Sequence, residues 1–157
     1  MISQGTRRLV IACAAVSLAA PAALRRQTVL EVENTSRGTV TLIEIPERAS
    51  FLVTSRHSIY DQPVTEELVL DRDRIVLRSV SSPSAAVREY FGLTAAGERQ
   101  GIERAMEQIV FRVAMGTPQR LVVAGEERSF LDFGDHGDRL VMRAVRRPAL
   151  ARWLSGS

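Results

Sequence analysis

Cysteine is nearly absent from this chain of 157 residues, which contains only Cys13. Cys13 lies inside an apolar run near the N-terminus, and the rest of the chain has no thiol. Disulfide bonds, thiolate metal sites and cysteine nucleophiles are therefore excluded beyond that run. A domain without disulfides must depend on its hydrophobic core, and a hydrophobic content of 45% is enough to form one.

Lysine is absent as well, so that all 21 basic residues are arginines. The arginines are scattered among the 18 Asp and Glu residues and do not form a basic patch. Two of them, Arg7 and Arg8, precede the apolar run, and without them the net charge falls from +3 to +1. We therefore expect no nucleic-acid binding, because that function depends on clustered positive charge.

The apolar run Leu9–Ala20 is shorter than the roughly 20 residues that a membrane-spanning helix needs. It follows two arginines and ends at the small-residue sequence Ala-Pro-Ala, which is the layout of an export signal. We expect residues 1–24 to be an export signal or, if uncleaved, an N-terminal membrane anchor. Residues 27–157 would then form one domain in the periplasm, held at the inner membrane if the segment is retained.

Short β-rich runs separated by turn sequences such as NTSRG, DRD and GDHGD occupy most of the remaining chain. This pattern predicts an antiparallel β-sandwich of about nine strands. Apolar residues recur at helical spacing between residues 84 and 106, which predicts one or two short helices. A short C-terminal helix is predicted to begin at Pro148. The predicted strands cover residues 28–34, 39–45, 51–59, 64–70, 74–80, 108–115, 120–125, 128–133 and 138–145.

The stretch RHSIYDQPVTEEL, which begins at Arg56, indicates two strands around a turn. Strand side chains alternate between faces, so a loop formed by Tyr60–Pro63 would pair His57 with Glu66 on the apolar face. The same register would pair Arg56 with Glu67 on the outer face. Each face then receives a consistent set of side chains, which is the reason for predicting this register.

The next hairpin extends the same pattern to a third strand. It places Leu68 opposite Leu77 and Glu66 opposite Ser79, which predicts an inner row of His57, Glu66 and Ser79. This row could be a hydrogen-bonded element of the core, a ligand- or partner-binding site, or a hydrolytic site with His57 and Glu66 as acid and base. A serine hydrolase is disfavoured, because its histidine must lie between the serine and the carboxylate.

Other polar and aromatic stretches point to weaker candidates. His136 lies among aspartates in FGDHGD, where a metal site is conceivable, but such Asp/Gly clusters usually form turns. Tyr90 and Phe91 could line a pocket or pack in the core. The sequence has no glycine-rich phosphate loop and lacks the carboxylate spacing of a calcium loop. We therefore predict neither a metal nor a cofactor.

The stretch HSIYDQPVTEEL resembles the signature of the uncharacterised "domain of unknown function eighteen-fifty" family. That signature has His-Ser, then a proline six residues after the histidine and a glutamate nine residues after it. In this chain it falls on His57, Ser58, Pro63 and Glu66. The resemblance also covers FLVTSRHS and the long segment FRVAMGTPQRLVVAGEERSFLDFGDHGDRLVMRAV. Many members have a Gly-Ala-Gly element where this chain has SSPSAAVREYFGL, so the backbone role of those glycines does not carry over.

The resemblance implies a small exported or membrane-anchored protein associated with the TAXI class of TRAP transporters, which import organic acids. We therefore expect a non-enzymatic accessory or binding module, whose partners are TRAP membrane subunits or the TAXI binding protein. A small carboxylate is the expected ligand. A periplasmic hydrolase using His57 and Glu66, and a structural envelope protein, are the alternatives. The candidate ligand- or partner-binding residues are His57, Ser58, Tyr60, Pro63, Glu66 and Ser79.

Overall fold

Alternating apolar side chains form two antiparallel β-sheets in this computed structural model, which describes residues 26–46, 48–93 and 97–148. The predicted β-sandwich is confirmed. Apart from the first two residues of β1 and the last three of β10, both sheets belong to the compact unit Thr28–Val145. The export segment and most of the predicted C-terminal helix lie outside the described residues. The described strands are β1 (Arg26–Asn34), β2 (Thr39–Glu44), β3 (Ser50–Arg56), β4 (Pro63–Asp71), β5 (Arg74–Ser81), β6 (Arg99–Met106), β7 (Gln108–Arg112), β8 (Arg120–Val123), β9 (Glu126–Ser129) and β10 (Arg139–Pro148), with helix α1 (Ala85–Tyr90) and a 3-10 helix (Phe130–Asp132).

The two sheets enclose a core to which every second residue of the inner strands contributes. One sheet has the order β2-β1-β10-β7 and the other the order β6-β5-β4-β3-β8-β9. Leu30 in the first sheet and Phe51 and Val53 in the second are completely buried. Phe130, which follows β9, is also buried in this core. The alternation of side chains along each strand therefore correctly predicts which residues of these strands face the core.

Five connections leave the sandwich at one end, which we name the loop end. They link β1 to β2, β3 to β4, β5 to β6, β7 to β8, and β9 to β10. The remaining links are at the opposite end, where β1 begins and β10 ends. Longer connections are therefore concentrated at the loop end, and they include the β3–β4 loop, which carries three of the six candidate residues.

Residues 99–106 form strand β6, so the prediction of a helix there is wrong. Val80 of β5 pairs with Gln100 of β6, and Ile75 pairs with Met106. Ile102 and Met106 are four residues apart, a spacing that fits both a helical face and one face of a strand. Pairing with β5 decides between the two. The helix predicted just before this segment is present as α1, and Ser84 caps its N-terminus by accepting a hydrogen bond from the Val87 N–H at 3.4 Å.

The β3–β4 hairpin has a register that differs by four residues from the predicted one. β3 ends at Arg56, and Val53 rather than His57 pairs with Glu66. An even shift keeps each strand side chain on its predicted face, so the sorting of faces remains correct although the pairs are wrong. His57 lies in the loop and has no partner across the strands, which removes the predicted His57–Glu66 pair.

Local polar contacts favour this longer loop. The Arg56 guanidinium forms an ion pair with Asp61 at 2.7 Å and also donates a hydrogen bond to the Asp61 carbonyl. The His57 N–H donates to the Gln62 carbonyl at 2.8 Å. These bonds close a loop of residues 57–62. Pro63, predicted inside the loop, is instead the first residue of β4, opposite Arg56.

A bulge in β5 changes the second predicted pairing. Leu68 pairs with Leu77, as predicted, but Arg78 has no partner in β4. The extra residue places Ser79 opposite Glu67 and moves Val80 opposite Glu66. Ser79 is therefore on the outer face of the sheet, and the predicted inner row of His57, Glu66 and Ser79 does not exist.

Asn34, at the end of β1, is a buried polar residue that binds the β9–β10 connection. Its Nδ2 donates to the Phe133 carbonyl at 3.1 Å and to Asp138 Oδ2 at 2.8 Å. Its Oδ1 accepts from the N–H groups of Ser36 and Arg37 at 3.0 and 3.2 Å. The stretch FGDHGD thus forms a turn, as predicted, and its Asp138 carboxylate is used to hold that turn.

We predict that Gly134→Ala destabilises the fold. A β-carbon at Gly134 would lie 2.4 Å from Asn34 Nδ2 and 2.9 Å from Asp138 Oδ2, so it must displace their hydrogen bond. Losing buried hydrogen bonds and forcing the turn apart is expected to lower the free energy of unfolding by about 2–4 kcal/mol. Urea unfolding measures this change. In the control, Gly101→Ala, the β-carbon lies 3.9 Å from its nearest neighbour, and a change within about 0.5 kcal/mol is expected. Equal losses in both variants would contradict the role assigned to Asn34.

Candidate functional site

Four rings meet at the loop end, where the β3–β4 loop lies beside α1. The centroid of the His57 ring is 4.5 Å from that of Tyr90, 5.2 Å from that of Tyr60 and 6.3 Å from that of Phe91. Tyr60 and Tyr90 are 41% and 60% exposed, whereas His57 and Phe91 are half-buried. We name these four residues the aromatic cluster. Its two tyrosine rings are exposed to solvent, and the rings of His57 and Phe91 next to them are partly buried.

Hydrogen bonds hold α1 against the start of β4. The Arg88 guanidinium donates to the Ser82 carbonyl at 2.7 Å, and the Ser82 hydroxyl donates to the Pro63 carbonyl at 2.7 Å. Val87 anchors the helix because its side chain is completely buried in the core. Tyr90 and Phe91 are thereby fixed beside the loop. The predicted site residue Pro63 contributes through its backbone carbonyl.

The His57 ring is held within the loop by the chain itself. Its Nδ1 lies 3.3 Å from the Ile59 N–H and accepts a hydrogen bond from it, which assigns the ring proton to Nε2 in the neutral form. Ser58 and Ile59 are exposed at the tip of the loop. No carboxylate of the described residues forms an ion pair or hydrogen bond with His57. An acid/base pair with Glu66 is therefore not formed.

Glu66 lies on the inner face of the sheet, as predicted, but among apolar neighbours. Its cross-strand neighbours are Val53 and Val80, both completely buried. No described residue forms a hydrogen bond or ion pair with its half-buried side chain. Desolvation by burial raises the pKa of Glu66 from 4.5 to about 7. The carboxyl group is therefore a weak acid near neutral pH without a catalytic partner beside it.

Of the two partners predicted for Glu66, Ser79 contacts Glu67 instead, on the outer face of the sheet. The Ser79 hydroxyl donates to Glu67 Oε2 at 2.7 Å, and the Arg99 guanidinium contacts the same oxygen at 2.5 Å. These two hydrogen bonds, of which the one from Ser79 has the larger effect, hold the pKa of Glu67 below its usual value. Arg99 is not among the predicted site residues, because the apolar spacing of its segment predicts a helix there instead of strand β6. No imidazole forms a hydrogen bond with Ser79 among the described residues. Glu67, Ser79 and Arg99 therefore fit an electrostatic role within the sheet.

A second feature of the loop end is a small open cleft of about 270 Å³ beside His136. It is formed by the β7–β8 loop and the 3-10 helix, with Phe130 and Leu131 on one side and Pro118 on the other. The His136 Nδ1 lies 2.7 Å from the Ala114 carbonyl oxygen, with which it shares a hydrogen bond. Among the described residues, no group of three His, Cys, Asp or Glu side chains is placed to hold a metal ion.

Within the described ranges no helix is long and apolar enough to span a membrane. Comparison of the chain with models of protein families, with curated proteins and with solved structures finds no match. The geometry at the loop end therefore carries the functional argument. It brings together the predicted residues His57, Ser58, Tyr60 and Pro63, adds Tyr90 and Phe91, and separates all of them from Ser79.

We predict that Glu66→Gln removes a pH-dependent loss of stability. Between about pH 4.5 and 7 the folded protein retains a proton on Glu66 that the unfolded chain has released. The free energy of unfolding therefore decreases as the pH rises through this range and levels off above pH 7. Each pKa unit corresponds to about 1.4 kcal/mol, so the loss is on the order of 3 kcal/mol. At pH 8 the glutamine variant should be more stable than the wild type by about 1–3 kcal/mol.

The matched control is Glu67→Gln, at the neighbouring position on the opposite face. The lowered pKa of Glu67 means that its ionised form stabilises the folded state above the unfolded pKa, and that this contribution disappears as the pH falls. Its loss at neutral pH should be about 0–1 kcal/mol, because the Arg99 partner is largely exposed. Chemical unfolding between pH 4.5 and 8 compares the two variants. A Glu66→Gln profile parallel to that of the wild type would refute the assignment.

Proposed function

We propose that this protein is an exported, non-catalytic binding module whose loop end docks on a partner protein. The observation that carries the proposal is the aromatic cluster. Tyr60 and Tyr90 expose their rings on elements that are fixed by the Arg56–Asp61 ion pair and by the Arg88–Ser82 hydrogen bond. Tyrosines that are exposed and held rigid are typical anchors of protein interfaces, since little side-chain entropy is lost on binding.

The apolar character of the loop end extends beyond the cluster. Among the described residues, eight large hydrophobic side chains are exposed, and five of them lie in connections at this end. A concentration of apolar side chains at one end of a β-sandwich favours an interaction surface over a solvated end. Loops carried by a rigid sheet are also where binding residues most often occur. The five residues are Ile59, Tyr60, Tyr90, Met115 and Leu131.

The separation of polar groups supports a non-catalytic role. His57 has no carboxylate partner among the described residues, Glu66 has apolar neighbours, and Ser79 is on the opposite face of the sheet. Acid/base or nucleophilic catalysis requires such groups within hydrogen-bond reach of one another.

The identity of the partner in this proposal comes from the signature resemblance. Three of the four signature residues, His57, Ser58 and Pro63, lie in or beside the β3–β4 loop, and Glu66 lies three residues after Pro63 in β4. We infer that the partner is a membrane subunit or the TAXI binding protein of a TRAP transporter for organic acids, met in the periplasm.

We predict that replacing both exposed tyrosines, Tyr60→Ala with Tyr90→Ala, abolishes retention of the partner. Each truncation at an interface anchor costs about 1–2 kcal/mol or more, so the pair should weaken binding at least about 30-fold. The measurement is a pull-down of transporter subunits from solubilised membranes with the full-length chain as bait. Val110→Ala is the control, because Val110 is 43% exposed but lies on β7 rather than in a loop.

Uptake of organic acids in a strain lacking the gene provides a second readout. Impaired uptake that is restored by the wild type and by Val110→Ala, but not by the double tyrosine variant, would support the proposal. Unchanged uptake together with no transporter subunit in the wild-type pull-down would rule it out. Retention of the partner by the double variant would show that docking does not use the aromatic cluster.

A further inference from the structure

Among the described residues, four strands are outermost in the two sheets, and they differ in how their edges are protected against pairing with another chain. β9 has only four residues, three of them charged, and β6 has three charged residues, a glycine and a shifted register with β5. β7 has five residues and ends at Arg112. Charged side chains, short length and bulges are the usual devices that block an edge. The edges of β9 and β6 therefore carry such protection, whereas β7 has a single charge, at its terminal Arg112, and one largely exposed apolar residue, Val110.

The edge of β2 lacks these devices. Its six residues, TVTLIE, contain no proline and a single charge, at the terminal Glu44. The strand pairs with β1 in an uninterrupted register from Thr39 to Glu44. Val40 and Leu42 project from its outer face and are 55% and 44% exposed. An edge of this kind is a ready template for an added strand.

We propose that β2 pairs with β2 of a second copy of this chain, antiparallel and about a twofold axis at Thr41. The centred register places Val40 opposite the partner's Leu42, and Leu42 opposite the partner's Val40. It places Thr41 opposite its own copy, and Glu44 opposite the partner's Gly38. The edge is thus complementary to itself, because apolar residues meet apolar residues and no like charges face each other.

The charges behind this edge are already compensated within each copy. Glu31 pairs with Leu42 across the β1–β2 ladder, and Glu33 pairs with Val40. Arg143 of β10 contacts the Glu33 carboxylate at 2.5 Å and that of Glu31 at 3.8 Å. The two glutamates therefore present reduced charge to a second copy. The four-stranded sheet would continue across the twofold axis as a sheet of eight strands.

The expected dimer is weak, because one strand edge is smaller than the roughly 1,600 Å² of a standard interface. It should form at micromolar or higher concentrations of protein. The pairing uses the side of the sandwich, so it goes beyond the proposed function and does not occupy the loop end. Antiparallel pairing directs the two loop ends away from each other.

Disulfide cross-linking of the full-length chain tests this pairing. In a Cys13→Ser background, Thr41→Cys places one thiol opposite its own copy, at a Cβ separation of roughly 4.5–5.5 Å, close to disulfide geometry. An added mild oxidant then removes two electrons and two protons from the two thiols to form the bond. Thr39→Cys is the positional control. In the same register residue 39 lies opposite residue 43 of the second copy, so the two introduced cysteines would be four residues, about 13 Å, apart along the strands. We expect a covalent dimer from Thr41→Cys and none from Thr39→Cys.

A charge on the edge should prevent the same cross-link. Leu42→Lys faces Glu31 within its own chain, so it is compatible with the fold, but it puts a charge against the second copy. In the Thr41→Cys background it should lower the yield of covalent dimer at least tenfold. Val110→Lys is the matched control on β7, since Val110 and Leu42 are 43% and 44% exposed, and it should leave the yield unchanged. No cross-link at Thr41, equal yields at Thr39 and Thr41, or no effect of Leu42→Lys would overturn the proposal.

Discussion

A buried side-chain amide, that of Asn34, holds the loop end in place. Its hydrogen bonds join the β1–β2 turn to the connection that passes from β9 in one sheet to β10 in the other. An amide left unpaired in the interior costs about 1–3 kcal/mol for each lost partner, so the two segments are confined to a single arrangement. Gly134 is part of the same constraint, because only a residue without a side chain can approach the Asn34 amide so closely. The connections on either side of this contact start from fixed positions, and a surface built from several loops requires such positions.

Two features of the structure reduce its stability: a desolvated carboxyl group on the inner face of β4 and exposed apolar side chains at the loop end. Glu66 places a carboxyl group that no described residue pairs among valines, which costs free energy whenever it ionises. Tyr60, Tyr90 and Ile59 expose apolar surface that folding leaves uncovered. A chain selected for stability alone would favour an apolar residue at the first position and polar residues at the other three. Exposed apolar side chains such as Ile59, Tyr60 and Tyr90 are typical of surfaces that meet a partner, since binding can then cover them.

Sequence periodicity predicted which side chains of β3 and β4 face the core, but not how these two strands pair. Phe51, Val53 and Leu68 are buried as the period of two requires, and Glu66 does lie on the inner face. The predicted pairing of β3 with β4 and that of Ser79 with Glu66 were wrong for reasons that a single strand does not reveal, although Leu68 pairs with Leu77 as predicted. β3 ends earlier and the β3–β4 loop is longer than predicted, because Arg56 and Asp61 form an ion pair across the loop. One extra residue in β5 transfers Ser79 to the other face of the sheet. The aromatic cluster could not be predicted either, since His57 and Tyr90 come from elements whose approach depends on the burial of Val87 and the hydrogen bonds of Ser82.

The placement of the two proposed surfaces separates docking from self-association. The aromatic cluster lies at the loop end, whereas the open edge of β2 runs along the side of the first sheet. In an antiparallel pair centred on Thr41 the two loop ends point in opposite directions, so both clusters cannot contact one flat partner surface. Dimerisation would then add no avidity for a single partner, because avidity requires both sites to be engaged at once. Two partners could instead be bridged by one dimer, each contacting its own loop end. The affinity of one loop end should consequently be independent of whether β2 is paired, which makes the two surfaces separable by mutation.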